Sequence, residues 1–305
     1  MSELAKILAG SDLSEWADLA LQRAALLAGQ HGSSLSLLHV EDRAEPPKVS
    51  QIDRHGETQQ GFMEMLADEA KAALDARAVA LAEQHGIEIG VHVQHGKDFV
   101  EIIRRAREEG AELIVLGAHG QHYTRDWLLG TTLERVVRKG DRPVLVVKKK
   151  PKGVYHRVLV AVDFSIHGQH ALEWAMRLAP DAEFHVLHVC DLWYEGRLRA
   201  QGVSKQDIAA LQREETREHL DELDRFLTSC KIDRTKVKPY VKPGYPGPTI
   251  ATEAARLGAD LVAIGTHGRS GLFYVLLGSV AVHVLRETEC DVLAVRPVAA
   301  QFGVP

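Results

Sequence analysis

The sequence predicts an α/β chain made of two similar domains, each an open parallel sheet of about five strands with flanking helices. Three observations predict it. Segments of the first half return in the second half in the same order. Short apolar runs alternate with longer stretches whose apolar residues recur at helical spacing. A spaced set of glycines follows the fourth strand of each copy.

Length agrees with two cores. The chain has 305 residues, and a common single domain has about 150, so residues 1–150 and 151–305 are expected to fold as separate units. Hydrophobic residues make up 45% and charged residues 26%, which excludes a disordered chain and gives no case for a membrane protein. No apolar run approaches the roughly 20 residues of a spanning helix. The start, Met1-Ser2-Glu3-Leu4, lacks a basic stretch followed by an apolar signal core. The three cysteines, Cys190, Cys230 and Cys290, form neither a CxxC pair nor an even disulfide set and read as reduced thiols. A cytoplasmic protein without a membrane partner is therefore expected. A net charge of −5 excludes the electrostatic footprint of a nucleic-acid binder. The basic run Lys148-Lys149-Lys150-Pro151-Lys152-Gly153 reads as a solvated linker at the domain boundary.

Four pairs of segments carry the repeat. The first strand, Ile7 to Gly10, ends in Asp12-Leu13-Ser14, and Val158 to Ala161 ends in Asp163-Phe164-Ser165, 151 residues later. The second strand, Leu35 to Val40, matches Phe184 to Val189 at an offset of 149. The third pair, Val93-Gln94-His95-Gly96 and Val241-Lys242-Pro243-Gly244, shares only its valine and its glycine. The fourth strand is the strongest match: Leu113 to Gly120 against Leu261 to Gly268, at an offset of 148. The fifth strands are Val144 to Val147 and Val292 to Val295. Continuous apolar runs such as Leu113 to Leu116 indicate strands buried on both faces, as in a parallel sheet. Ile208, Leu211, Leu220, Leu223 and Leu227 recur at helical spacing. Residues 41–57 and 191–205, the latter with Trp193 and Tyr194, break the correspondence and read as surface loops.

The glycine sets are Gly117 and Gly120, then nine residues, then Gly130-Thr131; and Gly265 and Gly268, then nine residues, then Gly278-Ser279. One set alone would mark turns. Two at identical spacing after a matched strand point to chemistry. Glycine lets backbone approach a phosphate, and a hydroxyl at a helix start adds a donor beside unpaired N–H groups and the positive dipole end. Ligands of open parallel sheets sit beyond the carboxyl ends of the strands, where Asp12 or Asp163 closes the first strand and Gly117 or Gly265 the fourth. The alternatives are tight turns needed only for folding, and a helix N-cap role for Asp163 beside Ser165.

With these residues the chain resembles a tandem universal stress protein of the nucleotide-binding kind, with Gly-x2-Gly-x9-Gly-Ser/Thr and an aspartate after the first strand. The resemblance covers nearly the whole chain. It implies Rossmann-like domains that bind ATP, an adenine nucleotide whose nucleoside meets the aspartate and the exit of the second strand while the glycine set holds phosphates. The implied site is Asp163, Val189, Gly265, Gly268, Gly278 and Ser279, with Arg269 placed to meet phosphate oxygens. In the first copy it is Asp12, Val40, Gly117, Gly120, Gly130 and Thr131. There the loop Gln121-His122-Tyr123-Thr124-Arg125-Asp126-Trp127 departs from the family's small and basic pattern, so the second domain is expected to be the main site.

No catalytic residue is expected. Neither Gly-x4-Gly-Lys-Ser/Thr nor Gly-x-Gly-x-x-Gly is present. Without a loop lysine, phosphate charge would be met by backbone dipoles, Arg269 and a divalent ion such as Mg²⁺, adequate for binding and at most for slow ATP hydrolysis. No metal site is expected from His92 and His95, or from His119 and His267: residues three apart on a strand face opposite ways, and cysteine ligands at zinc spacing are missing. The leading expectation is a nucleotide-binding stress or signalling protein, and the alternative is a nucleotide-independent interaction protein. Association of two tandem chains into a homodimer stays open. The last strands resemble the family's dimerising edge, which implies that the two domains pair as an intramolecular pseudo-dimer. NMR relaxation is then expected to give one rotational correlation time for both halves; two independent times would contradict the pairing.

Overall fold

The computed structural model describes residues 4–41, 59–120, 130–190, 195–230, 232–266 and 277–296. The chain divides into two compact units between Val154 and Tyr155, just past the basic run. Its Gly153 has φ of +143°, and the Gly153 carbonyl accepts a 2.7 Å bond from Arg23.

In the first unit the elements run β1 (Lys6–Ser11), α1 (Glu15–His31), β2 (Ser34–Glu41), α2 (Gln59–His85), β3 (Ile89–His95), α3 (Asp98–Glu108), β4 (Leu113–Gly117), α4 (Thr131–Lys139) and β5 (Val144–Val147). The strand order is β3-β2-β1-β4-β5, and every pairing is parallel.

The second unit repeats the plan with β6 (Arg157–Ala161), α5 (Ile166–Leu178), β7 (Glu183–Cys190), α6 (Glu195–Ala200), α7 (Lys205–Ser229), β8 (Val237–Pro243), α8 (Pro246–Leu257), β9 (Leu261–Gly265), α9 (Ser279–Glu287) and β10 (Asp291–Val295). Its order is β8-β7-β6-β9-β10, again all parallel.

Register repeats with the order. Ile7 pairs with Leu35 on β2 and Leu113 on β4. Val158 pairs with Phe184 on β7 and Leu261 on β9. These residues correspond under the offsets of 151, 149 and 148, so the drift in offset falls in the connections and not in the strands. The chain leaves β1 or β6 toward one side of its sheet and returns to the other side through β4 or β9. That reversal makes a crevice at the carboxyl ends of the central strands.

The strands form where the sequence is apolar because both sheet faces are covered. All four residues of β5 and all five of β10 are buried. Serine caps open the helices after the first strand of each unit, Ser14 accepting from Ala17 N and Ser165 from Gly168 N. Glycine in the left-handed region closes α1 at Gly32 and α8 at Gly258, where a side chain would be strained.

Two expectations change. Residues 191–205 are not one loop, since Glu195–Ala200 form α6; six residues without apolar periodicity give no helical signal. The other loop region begins later than expected, because Glu41 still belongs to β2; Trp193, Tyr194 and residues 42–57 lie outside the described residues. On α7, Ile208, Leu223 and Leu227 are buried, whereas Leu211 and Leu220 are exposed. Only part of that periodic set faces the sheet.

Leu159 is fully buried on central strand β6, so Leu159→Ala leaves a cavity and is expected to cost about 2–5 kcal/mol. Native-state hydrogen exchange of the β6, β7 and β9 amides measures it. Unchanged protection would contradict the placement of this residue in the core.

Candidate functional site

The site of the second unit begins where β6 ends. Asp163 Oδ1 accepts from the backbone N–H of Ser165 at 3.1 Å and from its hydroxyl at 2.5 Å. Ser165 Oγ accepts from Gly168 N at 3.3 Å and so caps α5. Between them Phe164 has φ of +61°, a conformation that bulky residues rarely adopt. The first unit has the same device: Asp12 Oδ1 accepts from Ser14 N and Oγ at 3.1 and 2.5 Å, and Leu13 has φ of +64°. The serine is thus the cap, and the aspartate braces it. The N-cap alternative for Asp163 is corrected accordingly.

The exit of β7 is tied to the same turn. His188, buried, donates through Nδ1 to the Val162 carbonyl at 2.9 Å, and its ring stacks on Phe164 with centroids 4.1 Å apart. In the first unit His39 Nδ1 meets the Ser11 carbonyl at 2.8 Å. The sequence records these histidines as repeat partners, which was the one available signal; their bonding was not anticipated. Next to His188, Val189 is buried and faces the crevice. Val40, its counterpart, is half-buried near the end of β2.

The first glycine of each set has a packing cause. A Cβ on Gly265 would lie 3.0–3.2 Å from His167 Cβ, C and O, and one on Gly117 would lie 2.8 Å from the Trp16 carbonyl oxygen. These glycines let the first turn of α5 and of α1 press against the end of the fourth strand. Gly120 meets the aspartate instead, its Cβ position being 2.7 Å from Asp12 Oδ2. Gly278 N donates to the Thr266 carbonyl at 2.9 Å, which sets the start of α9, and Ser279 is the exposed first residue of that helix. Gly130 and the exposed Thr131 start α4 in the same way. Gly268, Arg269 and His267 lie outside the described residues, as does the loop Gln121 to Trp127.

The two helix starts differ in charge. Neither has a side-chain cap, so backbone N–H groups remain to meet an anion. The first turn of α4 carries Glu134, and its Thr132 hydroxyl bonds the Asp98 carboxylate. The first turn of α9 carries no acid. Around the second start lies a cleft of about 310 Å³. Its lining includes the apolar Leu187, Val189, Pro246 and Ile250 together with Asp163, Gly265, Thr266, Gly278 and Ser279. Pro246 and Ile250 were not among the expected site residues.

Three further histidines singled out in the sequence, His92, His95 and His119, have structural partners. His92 pairs with Glu109 at 3.1 Å and His95 with Glu41 at 3.0 Å, while the His119 ring meets Trp16 edge-on at 4.8 Å. Among the described residues no group of three metal-ligating side chains converges, and no helix is long and apolar enough to cross a membrane.

The universal stress protein family model matches residues 3–148 and again 154–296. The chain belongs to the universal stress protein family. It is 26% identical over 307 residues to a universal stress protein of Synechocystis sp., covering 95% of this chain and 99% of that one. It is 31% identical over 155 residues to a universal stress protein of Methanocaldococcus jannaschii, covering 48% of this chain and 95% of that one. The crystal structure of a universal stress protein from Archaeoglobus fulgidus superposes with a TM-score of 0.69 at 22% identity, covering 95% of this chain and 98% of that one. That likeness bears on the fold.

In this universal stress protein His167 stands at the crowded contact with Gly265. Burial lowers its pKa below 6.5, with neighbouring His170 adding to the fall and the Asp163 carboxylate opposing it. The folded state therefore prefers the neutral ring, and the unfolded chain binds the proton more readily. Stability is expected to fall as pH drops through about 6.5 toward the folded pKa. Urea midpoints at several pH values measure this, and His167→Asn is expected to flatten the profile; an equal slope in the variant would contradict it.

Proposed function

We propose that the chain binds an adenine nucleotide, chiefly in the second unit. The observation that carries this reading is the cleft at the carboxyl ends of β6, β7 and β9, which brings Asp163, Val189, Gly265, Gly278 and Ser279 to one place. Its size suits a small ligand. Its lining of apolar side chains together with an aspartate, a serine and a helix start suits a molecule that carries both a flat base and phosphates.

The phosphates would meet the open N–H groups of α9 and the Ser279 hydroxyl, with Gly268 and Arg269 of the following loop as further candidates from the sequence pattern. ATP is the favoured nucleotide. Mg²⁺ would enter with its phosphates and neutralise their charge, because such an ion keeps most of its ligands from substrate and water. Glu134 and Asp98 oppose phosphate in the first unit, so Gly117, Gly120, Gly130 and Thr131 are the weaker set. A cytoplasmic location fits three buried cysteines that form no disulfide with one another. Stress-linked signalling by nucleotide occupancy belongs to the same proposal.

The test is to purify the chain, release bound small molecules by denaturation and quantify nucleotide. Wild type is expected to carry or take up about one ATP per chain, Gly268→Val to lose it, and Gly120→Val to keep it, with circular dichroism confirming that both variants fold. A wild type that carries no nucleotide and does not bind titrated ATP would overturn the reading in favour of a nucleotide-independent interaction protein.

A further inference from the structure

Tyr245 directly precedes Pro246, which lines the second unit's cleft. Among the large apolar side chains of the described residues it is the most exposed, at 71%. Its side chain makes no hydrogen bond, ion pair or ring contact with another described residue. A tyrosine ring left in water forgoes the burial that aromatic side chains usually find, and here it does so immediately before Pro246, which lines the cleft together with Ile250.

The backbone that carries this ring is held on three sides. Gly244 has φ of +144° and donates from its N–H to the Cys190 carbonyl at 3.0 Å, which ties the turn to the end of β7 beside Val189. Pro246 fills the first helical position of α8, where its fixed φ costs nothing. Gly247 packs so closely on His283 of α9 that a Cβ would lie 2.8–2.9 Å from that ring. Tyr245 is therefore an exposed side chain on an anchored stem, tied through Gly244 to the end of β7 and through Gly247 to α9.

The first unit repeats the stem without the ring. Gly96 has φ of +150° and donates to the Glu41 carbonyl at 3.0 Å, and the next residue is Lys97, an exposed N-cap of α3. The repeat keeps the turn and changes its side chain from an ammonium to a flat aromatic.

We propose that Tyr245 is a specificity-determining residue of the second unit, its ring closing over the planar base of a ligand whose other face meets the apolar residues of the cleft. This rests on the nucleotide reading and adds the group that selects a base-bearing ligand over a bare polyphosphate. Base–aromatic stacking is sequence-tolerant and strong enough to be measured.

The experiment compares ATP with inorganic tripolyphosphate in calorimetric and competition titrations of the full chain carrying Tyr245→Ala, Tyr245→Phe or Tyr245→Trp. Tyr245→Ala is expected to weaken ATP about tenfold and to leave tripolyphosphate unchanged, while Tyr245→Phe keeps wild-type affinity. Tyr245→Trp is expected to add fluorescence that ATP quenches and tripolyphosphate does not. The exposed ring makes no contact needed for folding, so the variants test binding. ATP affinity unchanged in Tyr245→Ala, or an equal loss for both ligands, would overturn the role of Tyr245 while the nucleotide reading stands. A wild type that binds no ATP would overturn both.

Discussion

The short bridge from the aspartate to the serine two residues on governs the geometry around each crevice. One carboxylate oxygen of Asp163 takes both the N–H and the hydroxyl of Ser165, and the serine oxygen in turn takes the N–H of Gly168. Holding Phe164 in the left-handed region costs about 1–2 kcal/mol. Hydrogen bonds to a charged group contribute about 1.5–3 kcal/mol each, so the bridge is strong enough to hold the turn. The stacked His188 ring, itself fixed to the Val162 carbonyl, adds a second hold on Phe164. Helix α5 leaves the strand in a set direction as a result, and its first turn can press on Gly265. The mouth of the cleft is a consequence of that contact.

Most of the architecture was legible because it depends on burial. A parallel strand covered on both faces must be apolar throughout, so β1, β4, β5 and their counterparts stood out as runs, and their repetition marked matching positions in the two copies. Helix α6 was missed because six residues, Glu195–Ala200, leave no period to detect. Leu211 and Leu220 shared the spacing of Leu223 and Leu227 yet stay in solvent; periodicity identifies a helix better than it identifies which end of a long helix reaches the sheet. The residues of the site were legible by type and less so by cause. Neither leucine nor phenylalanine announces a positive φ, and a histidine bonded to a backbone carbonyl 26 residues away has no motif. Gly117 and Gly265 were read as room for phosphate, and the structure adds a packing cause, since a helix turn presses on each.

That packing cause changes what the glycine pattern means in each copy. A glycine required by helix–strand packing persists as long as the fold does, whether or not anything binds. Spacing alone therefore cannot separate an active copy from a silent one. The separation lies in charge. Helix α4 starts beside Glu134 and a threonine bonded to Asp98, and carboxylates at a helix start satisfy the dipole that would otherwise attract a phosphate. Helix α9 starts without one.

The two copies thus share a frame and differ where side chains leave it. Trp16 and His167 occupy matched positions at the close contact with the fourth strand, and their backbones do the same work there, so the fold places no demand on which ring is present. Lys97 and Tyr245 follow matched glycines whose N–H groups reach matched carbonyls, and again the stem is indifferent to the side chain. Positions of this kind let a duplicated domain diverge at little cost in stability, because their backbones carry the structural role while the side chains remain available to a ligand or to solvent. In a repeat of this fold, differences on such anchored stems are more informative about the chemistry of each copy than the motif that both copies retain.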